Sequence, residues 1–332
     1  MNVSDVLDAR EREALYSGAN SAIWYSHHFA NHHAPTAARE EDYVATLVTD
    51  GVPFLADRWT ELLQPKGITV RVSGVFCHGH PQVSFGKPPR QVELADLLVV
   101  HQHTSPKGSV ARAILLQAKM STDATHNLSS DDSQLFLFSE WPKFEFVTGG
   151  LRRGWRDLEE VGEGSRYALI FSGSAYPESI SWPDQCPWAE SKAMKNLSGD
   201  RSLAKLLGDL ILGEDGREFE PETGAGEWSR TIRELLEVTG ARTYKRGNIN
   251  RGDTSRLSGE PPISGFLLMS DGRDSGQVWP VRHGDSLVEK MFGKALISSV
   301  GGDNSRPLAP NEESPEEGGI SSLIIETVGG YD

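Results

Sequence analysis

The chain has 332 residues, of which 37% are hydrophobic, and a formal net charge of −14 at neutral pH. It has no run of about 18 apolar residues and its N-terminus is charged, so we expect a soluble, cytoplasmic protein with no signal peptide and no membrane partner. Only two cysteines, Cys77 and Cys186, are present, which argues against a disulfide framework.

Residues 1–35 are predicted to form an N-terminal helical segment. If the helix includes the histidine-rich stretch near its end, His28 and His32 stand one turn apart on one face, a spacing that can bind zinc. Surface or packing histidines are the more common interpretation of such a pair. A further helix is predicted after residue 36, and Glu41 lies in its acidic first turn, where negative charge complements the helix dipole.

Two apolar runs, at residues 92–100 and 113–119, predict neighbouring strands that are buried on both faces. A Ser-Pro-Lys-Gly turn lies between them. Because side chains alternate along a strand, Gln117 and Lys119 point to the same face, with Cα atoms roughly 6.6 Å apart. Asp96, near the start of the first run, then faces an amide oxygen and a lysine on the neighbouring strand.

These three side chains suit phosphodiester hydrolysis. Asp96 and the carbonyl of Gln117 are hard oxygen ligands for Mg²⁺ or Mn²⁺, and Lys119 can orient the attacking water or stabilise developing negative charge. The purely structural interpretation is that Asp96 caps a turn and Lys119 reaches solvent from a strand end. A lysine after Ile-Leu-Leu is nevertheless an unusual choice for a core strand, because a buried ammonium group is costly.

With Asp96, Gln117 and Lys119 at this spacing, the chain resembles the PD-(D/E)xK nuclease superfamily, and in particular its Mrr-like branch, in which glutamine replaces the acid of the (D/E)xK half-motif. The resemblance covers roughly residues 36–147. It implies a restriction-endonuclease-like fold, in which a mixed central α/β sheet is flanked by helices. It also implies that a helix glutamate joins the metal site, for which Glu41 is the candidate, and Glu93 is another acid that can complete it.

A rival metal site, for zinc or another transition metal, is indicated by two His-x-His pairs. Each pair can project from one strand face, which favours metal binding, although a glycine and a following proline indicate a turn at the first pair. The four histidines are His78, His80, His101 and His103.

The sequence divides into a nuclease-like core at residues 36–160, an α+β region of unassigned role at 161–300, a flexible acidic linker at 301–319 and a strand-like terminal segment at 320–332. The terminal segment is predicted to pack on this protein or on a partner. The best local candidates for contact with nucleic acid phosphates are Arg242, Lys245, Arg246 and Arg251. A weaker candidate is the group of Arg152, Arg153 and Arg156.

The predicted function is metal-dependent cleavage of nucleic acid, with DNA favoured over RNA. An acidic chain repels phosphates, so we expect either a local basic face or a partner that delivers the substrate. By analogy with the resembled family, that partner belongs to a bacterial anti-phage defence or restriction complex, or the chain forms a homo-oligomer. One alternative is a catalytically inactive nuclease-like scaffold or sensor subunit, and another is the histidine-based transition-metal protein.

Overall fold

The structure is a computed structural model that describes residues 2–34, 37–77, 81–148, 150–160, 162–173, 180–222, 226–241, 265–270, 286–297 and 319–329. The α-helices are α1 (Val3–Val6), α2 (Ala9–His33), α3 (Glu40–Thr49), α4 (Gly51–Leu63), α5 (Ser133–Glu140), α6 (Leu203–Leu212), α7 (Glu227–Gly240) and α8 (Leu287–Ile297). The first seven strands are β1 (Ile68–Cys77), β2 (Gln82–Phe85), β3 (Arg90–Glu93), β4 (Leu97–Ser105), β5 (Gly108–Ser121), β6 (Thr125–Asn127) and β7 (Phe144–Phe146). They are followed by β8 (Ser165–Phe171), β9 (Trp188–Ser191), β10 (Asn196–Ser198), β11 (Arg201–Ser202), β12 (Arg217–Phe219), β13 (Gly265–Ser270) and β14 (Ser322–Gly329).

A nine-stranded mixed sheet forms the centre of the protein. Its strands follow the order β11-β9-β8-β5-β4-β14-β1-β13, and β12 pairs with β5 beside this path. Most neighbours are antiparallel, whereas β5 with β8 and β4 with β14 are parallel. Two small sheets, β3-β2-β7 and β10-β6, lie outside it. The expectation of a mixed α/β sheet flanked by helices is therefore confirmed.

Each face of the central sheet is covered by its own layer. One apolar cluster joins the sheet to α2, α3, α4 and α6, and a second cluster joins it to α5, α7, α8 and the small sheet β3-β2-β7. Strand β4 illustrates the alternation, because Leu97 and Val99 belong to the first cluster while Leu98 and Val100 belong to the second. The prediction that both central strands are buried on two faces is confirmed. Strand β4 begins later than the apolar run, however, because Val92 lies in β3 of the small sheet.

The terminal strand β14 occupies the middle of the sheet. It pairs in parallel with β4 and antiparallel with β1, so that Ile325 faces His101 on one side and Val72 on the other. The strand predicted from the alternation at residues 320–328 is thus confirmed, and it packs on this protein's own sheet. Strands β1 and β4 consequently depend on it for the hydrogen bonds along one side, while β13 and β5 pair with their other sides.

Residues beyond 160 also extend the same sheet. Strand β8 pairs with β5, and β9 and β11 continue outward from β8. Helix α6 lies close to α2, since a Cβ atom on Gly208 would come within 2.4 Å of the Tyr16 ring, and the Tyr16 hydroxyl donates to Asp209 at 2.7 Å. The segments 36–160 and 161–300 therefore share one sheet, and α6 of the later segment packs against α2 of the N-terminal segment.

Gly74 permits a close approach between β1 and the helices of the first layer. A Cβ atom at this position would lie 1.7 Å from the carbonyl oxygen of Val48 in α3. Only a residue without a side chain fits at such a distance.

In the part of the chain that the structure describes, no helix is long and apolar enough to cross a bilayer.

Arg156 is a structural residue, which corrects its inclusion among the phosphate-contacting candidates. Its side chain is fully buried and donates to Glu234 of α7 at 2.6 Å, and to the carbonyl oxygens of Arg152 and Gly154. A guanidinium group in this position cannot reach a nucleic acid. Arg152, by contrast, is 73% exposed and lies 4.0 Å from Glu237.

We expect Glu234→Leu to lower the free energy of unfolding by about 3–5 kcal/mol, because removal of the carboxylate leaves the Arg156 guanidinium buried without a counter-charge. Urea denaturation measures the change. The matched control is Lys143→Ala, which removes an exposed ion pair with Asp157 and should change stability far less. Equal effects of the two substitutions would contradict the assigned role of the buried pair.

Candidate active site

The register of β4 against β5 brings Asp96 opposite Gln117. Leu97 pairs with Leu116, and the backbone N–H of Asp96 donates to the carbonyl of Leu116 at 3.0 Å. Asp96 therefore lies one residue before β4, at the end of the central strands where β5 is close to its last residue. The sequence prediction that these two residues face each other is consistent with this pairing.

Three side chains share the face of the sheet that carries the second apolar cluster. Leu98 and Leu115 both belong to that cluster. Because strand residues two apart point the same way, Asp96 lies on the side of Leu98, and Gln117 and Lys119 lie on the side of Leu115. Asp96, Gln117 and Lys119 thus lie on one face of the sheet, at the same end of β4 and β5.

Asp96 and Gln117 are joined directly. The Gln117 amide donates to Oδ2 of Asp96, and the same oxygen accepts from the backbone N–H of Ala118 at 2.6 Å. Gln117 is only 5% exposed, and its carbonyl oxygen Oε1 is buried with no hydrogen-bond partner. An unsatisfied buried acceptor is costly, so this oxygen is ready to bind a donor or a cation.

A cavity of about 290 Å³ adjoins these residues. Its wall includes Gln117 and Lys119 from β5 and Glu93 from β3, together with Val92, Asp132, Ser133 and Gln134. Lys119 is half-buried, and among the described residues it forms no ion pair within 4.0 Å. The cavity combines one ammonium group with the carboxylates of Glu93 and Asp132, beside the Asp96–Gln117 pair.

The contribution of α5 was not predicted from the sequence. Asp132 caps this helix by accepting from the N–H of Leu135 at 2.8 Å, and Gln134 donates to the carbonyl of Leu94 at 3.2 Å. The signal that could have revealed the helix start is an aspartate three residues before the apolar run 135–138. Its position next to β5 arises from tertiary packing.

Glu40 and Glu41 reach different places. Glu41 pairs with Arg39 at 3.3 Å and does not line the cavity. Its neighbour Glu40 accepts from the backbone N–H of Met120 at 2.9 Å, directly after Lys119. Glu40 thus connects the first turn of α3 to the end of β5.

Tyr167 of β8 lies beside Gln117 in the parallel register of β5 and β8. Its hydroxyl is buried and has no hydrogen-bond partner. Burial, and secondarily the negative charge of Asp132, raise the pKa of this phenol well above its ordinary value. The hydroxyl therefore remains a neutral donor next to the site at any physiological pH.

A second, larger cavity of about 410 Å³ lies at the start of α7. Two of its three arginines pair with carboxylates, because Arg217 contacts Glu160 at 3.1 Å and Arg230 contacts Glu227 and Glu234 at 3.4 and 3.1 Å. The third, Arg233, donates to the carbonyl of Glu220 at 3.0 Å. Carboxylates thus compensate the positive charge that a phosphate would need. The smaller cavity beside Asp96 is the better candidate active site.

The structure places His101 and His103 away from that cavity. His101 follows Val99 by two residues and so faces the first apolar cluster, on the opposite side of the sheet. Its ring nitrogens contact the carbonyl of Leu210 at 3.0 Å and the hydroxyl of Thr327 at 2.8 Å, and Nδ1 of His103 contacts the same hydroxyl at 2.8 Å.

These contacts occupy both ring nitrogens of His101. Throughout the described ranges, no three His, Cys, Asp or Glu side chains are grouped so that they could hold a metal ion, and this includes His28 and His32, whose rings lie 5.1 Å apart. His78 and His80 lie outside the described residues. The four basic candidates Arg242, Lys245, Arg246 and Arg251 also lie outside them, as does the acidic segment 301–318.

We expect the stability of the fold to depend on pH because His101 and His27 are buried. Burial lowers the pKa of His101 from 6.5 to about 3, with a smaller contribution from His103, and lowers that of His27 to about 4. As the pH falls below 6.5, the unfolded chain takes up protons that the folded chain does not bind. The free energy of unfolding should therefore fall by up to about 1.4 kcal/mol per pH unit for each histidine.

We expect His101→Gln to reduce this slope between pH 6.5 and 5, because glutamine does not titrate. Urea denaturation at a series of pH values measures the slope for both proteins. An unchanged slope in the variant would show that His101 is not held neutral in the folded state.

Comparisons of the chain with family models, with curated proteins and with solved structures found no match.

Proposed function

We propose that the protein is a metal-dependent endonuclease that hydrolyses phosphodiester bonds of nucleic acid. The proposal is based on the position of Asp96, Gln117 and Lys119, which lie on one face of the sheet at the same end of β4 and β5. The adjacent cavity is also lined by Glu93 and Asp132. A carboxylate, a neutral oxygen and an ammonium group in this arrangement suit attack of water on a phosphate.

The donor set fits a hard divalent cation, Mg²⁺ or Mn²⁺. Oε1 of Gln117 is a buried oxygen without a hydrogen-bond partner, and the adjacent Asp96 carboxylate supplies negative charge. Glu93, which lines the same cavity, is the acid that would complete the site. When bound, such a cation makes a water more acidic and offsets the charge of the phosphate.

The side chains themselves have distinct tasks. Lys119 stabilises the negative charge that develops on the phosphate oxygens, and it is unusually available because it forms no ion pair within the described residues. The backbone of Ala118 fixes the Asp96 carboxylate at 2.6 Å. A cavity of about 290 Å³ lies near the lower end of the range for ligand sites, which suits one phosphodiester group and its nearest sugar.

The order of elements supports a restriction-endonuclease-like core. A helical pair, α3 and α4, precedes the antiparallel strands β4 and β5, and α5 then lies in the connection to β8, which is parallel to β5. Glu41 stays the helix acid proposed from the resemblance, and its neighbour Glu40 contacts the end of β5 through the backbone N–H of Met120.

We further propose DNA as the preferred substrate, a cytoplasmic location, and a protein partner in a defence or restriction complex, or a second copy of the chain. The net charge of −14 supports a delivering partner, because phosphate neutralisation by this chain alone is limited. The second candidate function is an inactive nuclease-like scaffold. The neutral Gln117 and the lack of a three-ligand cluster among the described residues favour it.

We expect Lys119→Ala to lower the rate of cleavage roughly 100-fold or more, because a charge-stabilising group at the reacting phosphate is lost. Cleavage of plasmid, linear duplex, single-stranded DNA and RNA is measured with Mg²⁺, Mn²⁺ or EDTA. Activity should require the metal.

The matched control for this experiment is Lys107→Ala, which removes an exposed lysine from the turn at the opposite end of β5 and should leave the rate unchanged. Full activity in Lys119→Ala would remove the site from consideration. Loss of activity in both variants would point to a general charge effect.

We expect Gln117→Glu to bind the metal more tightly, since a second carboxylate is added beside Asp96. Without metal, the two like charges should lower the melting temperature of the variant, and Mn²⁺ should restore it. Thermal melting against Mn²⁺ concentration tests both effects. A melting temperature that Mn²⁺ does not raise would favour the scaffold.

A further inference from the structure

The ring of Phe136 in α5 is 41% exposed, although the helix packs against the sheet and its Phe138 is completely buried. Phe136 therefore presents an aromatic surface to solvent. Single exposed aromatic rings are common on protein surfaces. The position of this ring, next to the candidate active site, is what suggests a function.

Phe136 lies beside the candidate active site. Ser133, three residues earlier in α5, lines the cavity, and residues three apart lie on the same face of a helix. Arg90 of β3 stands in the same relation, because Val92, two residues later, lines the cavity and residues two apart share a strand face. The ring thus lies about 4.5 Å along α5 from a cavity-lining residue, and the guanidinium group belongs to a residue about 6.6 Å along β3 from another.

Two contacts hold the ring in place. Phe85 stacks on it with a centroid separation of 5.8 Å and an interplanar angle of 26°, and the Arg90 guanidinium lies 5.6 Å from its centroid. Phe85 is itself buried and pairs directly with Arg90 across β2 and β3. The ring is therefore supported from within the protein, and little conformational entropy remains to be lost when a ligand stacks on it.

We propose that Phe136 and Arg90 bind an unpaired nucleotide of the strand that enters the cavity, with the base stacked on the ring and the phosphate near the guanidinium group. This inference rests on the proposed function. Every base has a flat aromatic face, and an arginine beside an exposed ring is a combination that binds single strands. In a regular duplex those faces are covered by neighbouring bases, so the substrate class is single-stranded or locally unstacked nucleic acid.

The test measures binding separately from cleavage. Fluorescence anisotropy is recorded for labelled single-stranded DNA, single-stranded RNA and duplex DNA with Lys119→Ala protein in Mg²⁺. Adding Phe136→Ala should weaken single-strand binding by roughly 5- to 150-fold, while Phe136→Trp should retain it. The same oligonucleotides with abasic sites in place of the central nucleotides should bind weakly and should not distinguish Phe136 from alanine.

The matched control is Tyr25→Ala. Tyr25 is 44% exposed and stacks on Phe54 at 5.3 Å, but it lies on α2, in the helical layer on the opposite face of the sheet. This substitution should leave the affinity for every oligonucleotide unchanged. Comparison of the DNA and RNA series then shows whether the stacking platform formed by Phe136 and Arg90 accepts deoxyribose or ribose.

The outcomes separate this inference from the proposed function. Base-dependent binding that Phe136→Ala removes, without cleavage by the wild-type protein, would support the platform and contradict the nuclease. Metal-dependent cleavage that Lys119→Ala abolishes but Phe136→Ala leaves untouched, with equal affinities, would support the nuclease and overturn the platform. A change of oligomeric state in Phe136→Ala, with no change in oligonucleotide affinity, would also overturn it and assign the ring to a protein contact.

Discussion

The pairing register of β4 with β5 is the constraint on which the candidate site depends. Leu97 and Leu116 are buried on one face of the sheet, and Leu98 and Leu115 on the other. A slip of one residue would reverse the faces of every side chain in the slipped strand. With both helical layers packed against these leucines, the register that places the Asp96 carboxylate beside the Gln117 amide is maintained by core burial. The polar site is therefore positioned by apolar residues that take no part in its chemistry.

The start of β4 is held from both sides. On one side β5 accepts the N–H of Asp96, and on the other the carbonyl of Ser321, just before β14, accepts the N–H of Leu98 at 2.8 Å. The strand that completes the sheet is thus about 200 residues later in the chain than the site it supports. Closing so long a connection costs conformational entropy, but the cost grows only slowly with length, and the buried residues of β14 offset it. Loss of this terminal strand would expose the edges of both β1 and β4.

The parts of the site that could be predicted from the sequence depend only on residues close together in the chain. Alternation with a period of two and a short turn were enough to bring Asp96, Gln117 and Lys119 together, because β4 and β5 form a hairpin whose partners are close in sequence. Partners that depend on distant packing were not found. Asp132 and Ser133 reach the cavity because α5 packs beside β3, and the central location of β14 is set by two neighbours that its alternation does not specify. Likewise, nothing local distinguishes Arg156, which is buried against Glu234, from the exposed Arg152.

An acidic protein that acts on nucleic acid must obtain affinity from short-range contacts. Some of its carboxylates are compensated within the fold, as where Arg201 contacts Glu190 and Asp209 at 2.8 and 2.7 Å. The remaining excess of −14 still opposes long-range attraction of phosphates. The proposed stacking on Phe136 would not depend on that field, and a cation held by Asp96 and Gln117 would act only at a phosphate inside the cavity. Such a site would bind weakly to intact duplex and selectively to a strand whose bases are already exposed. A partner that opens or presents the strand would supply both the substrate and the control of cleavage.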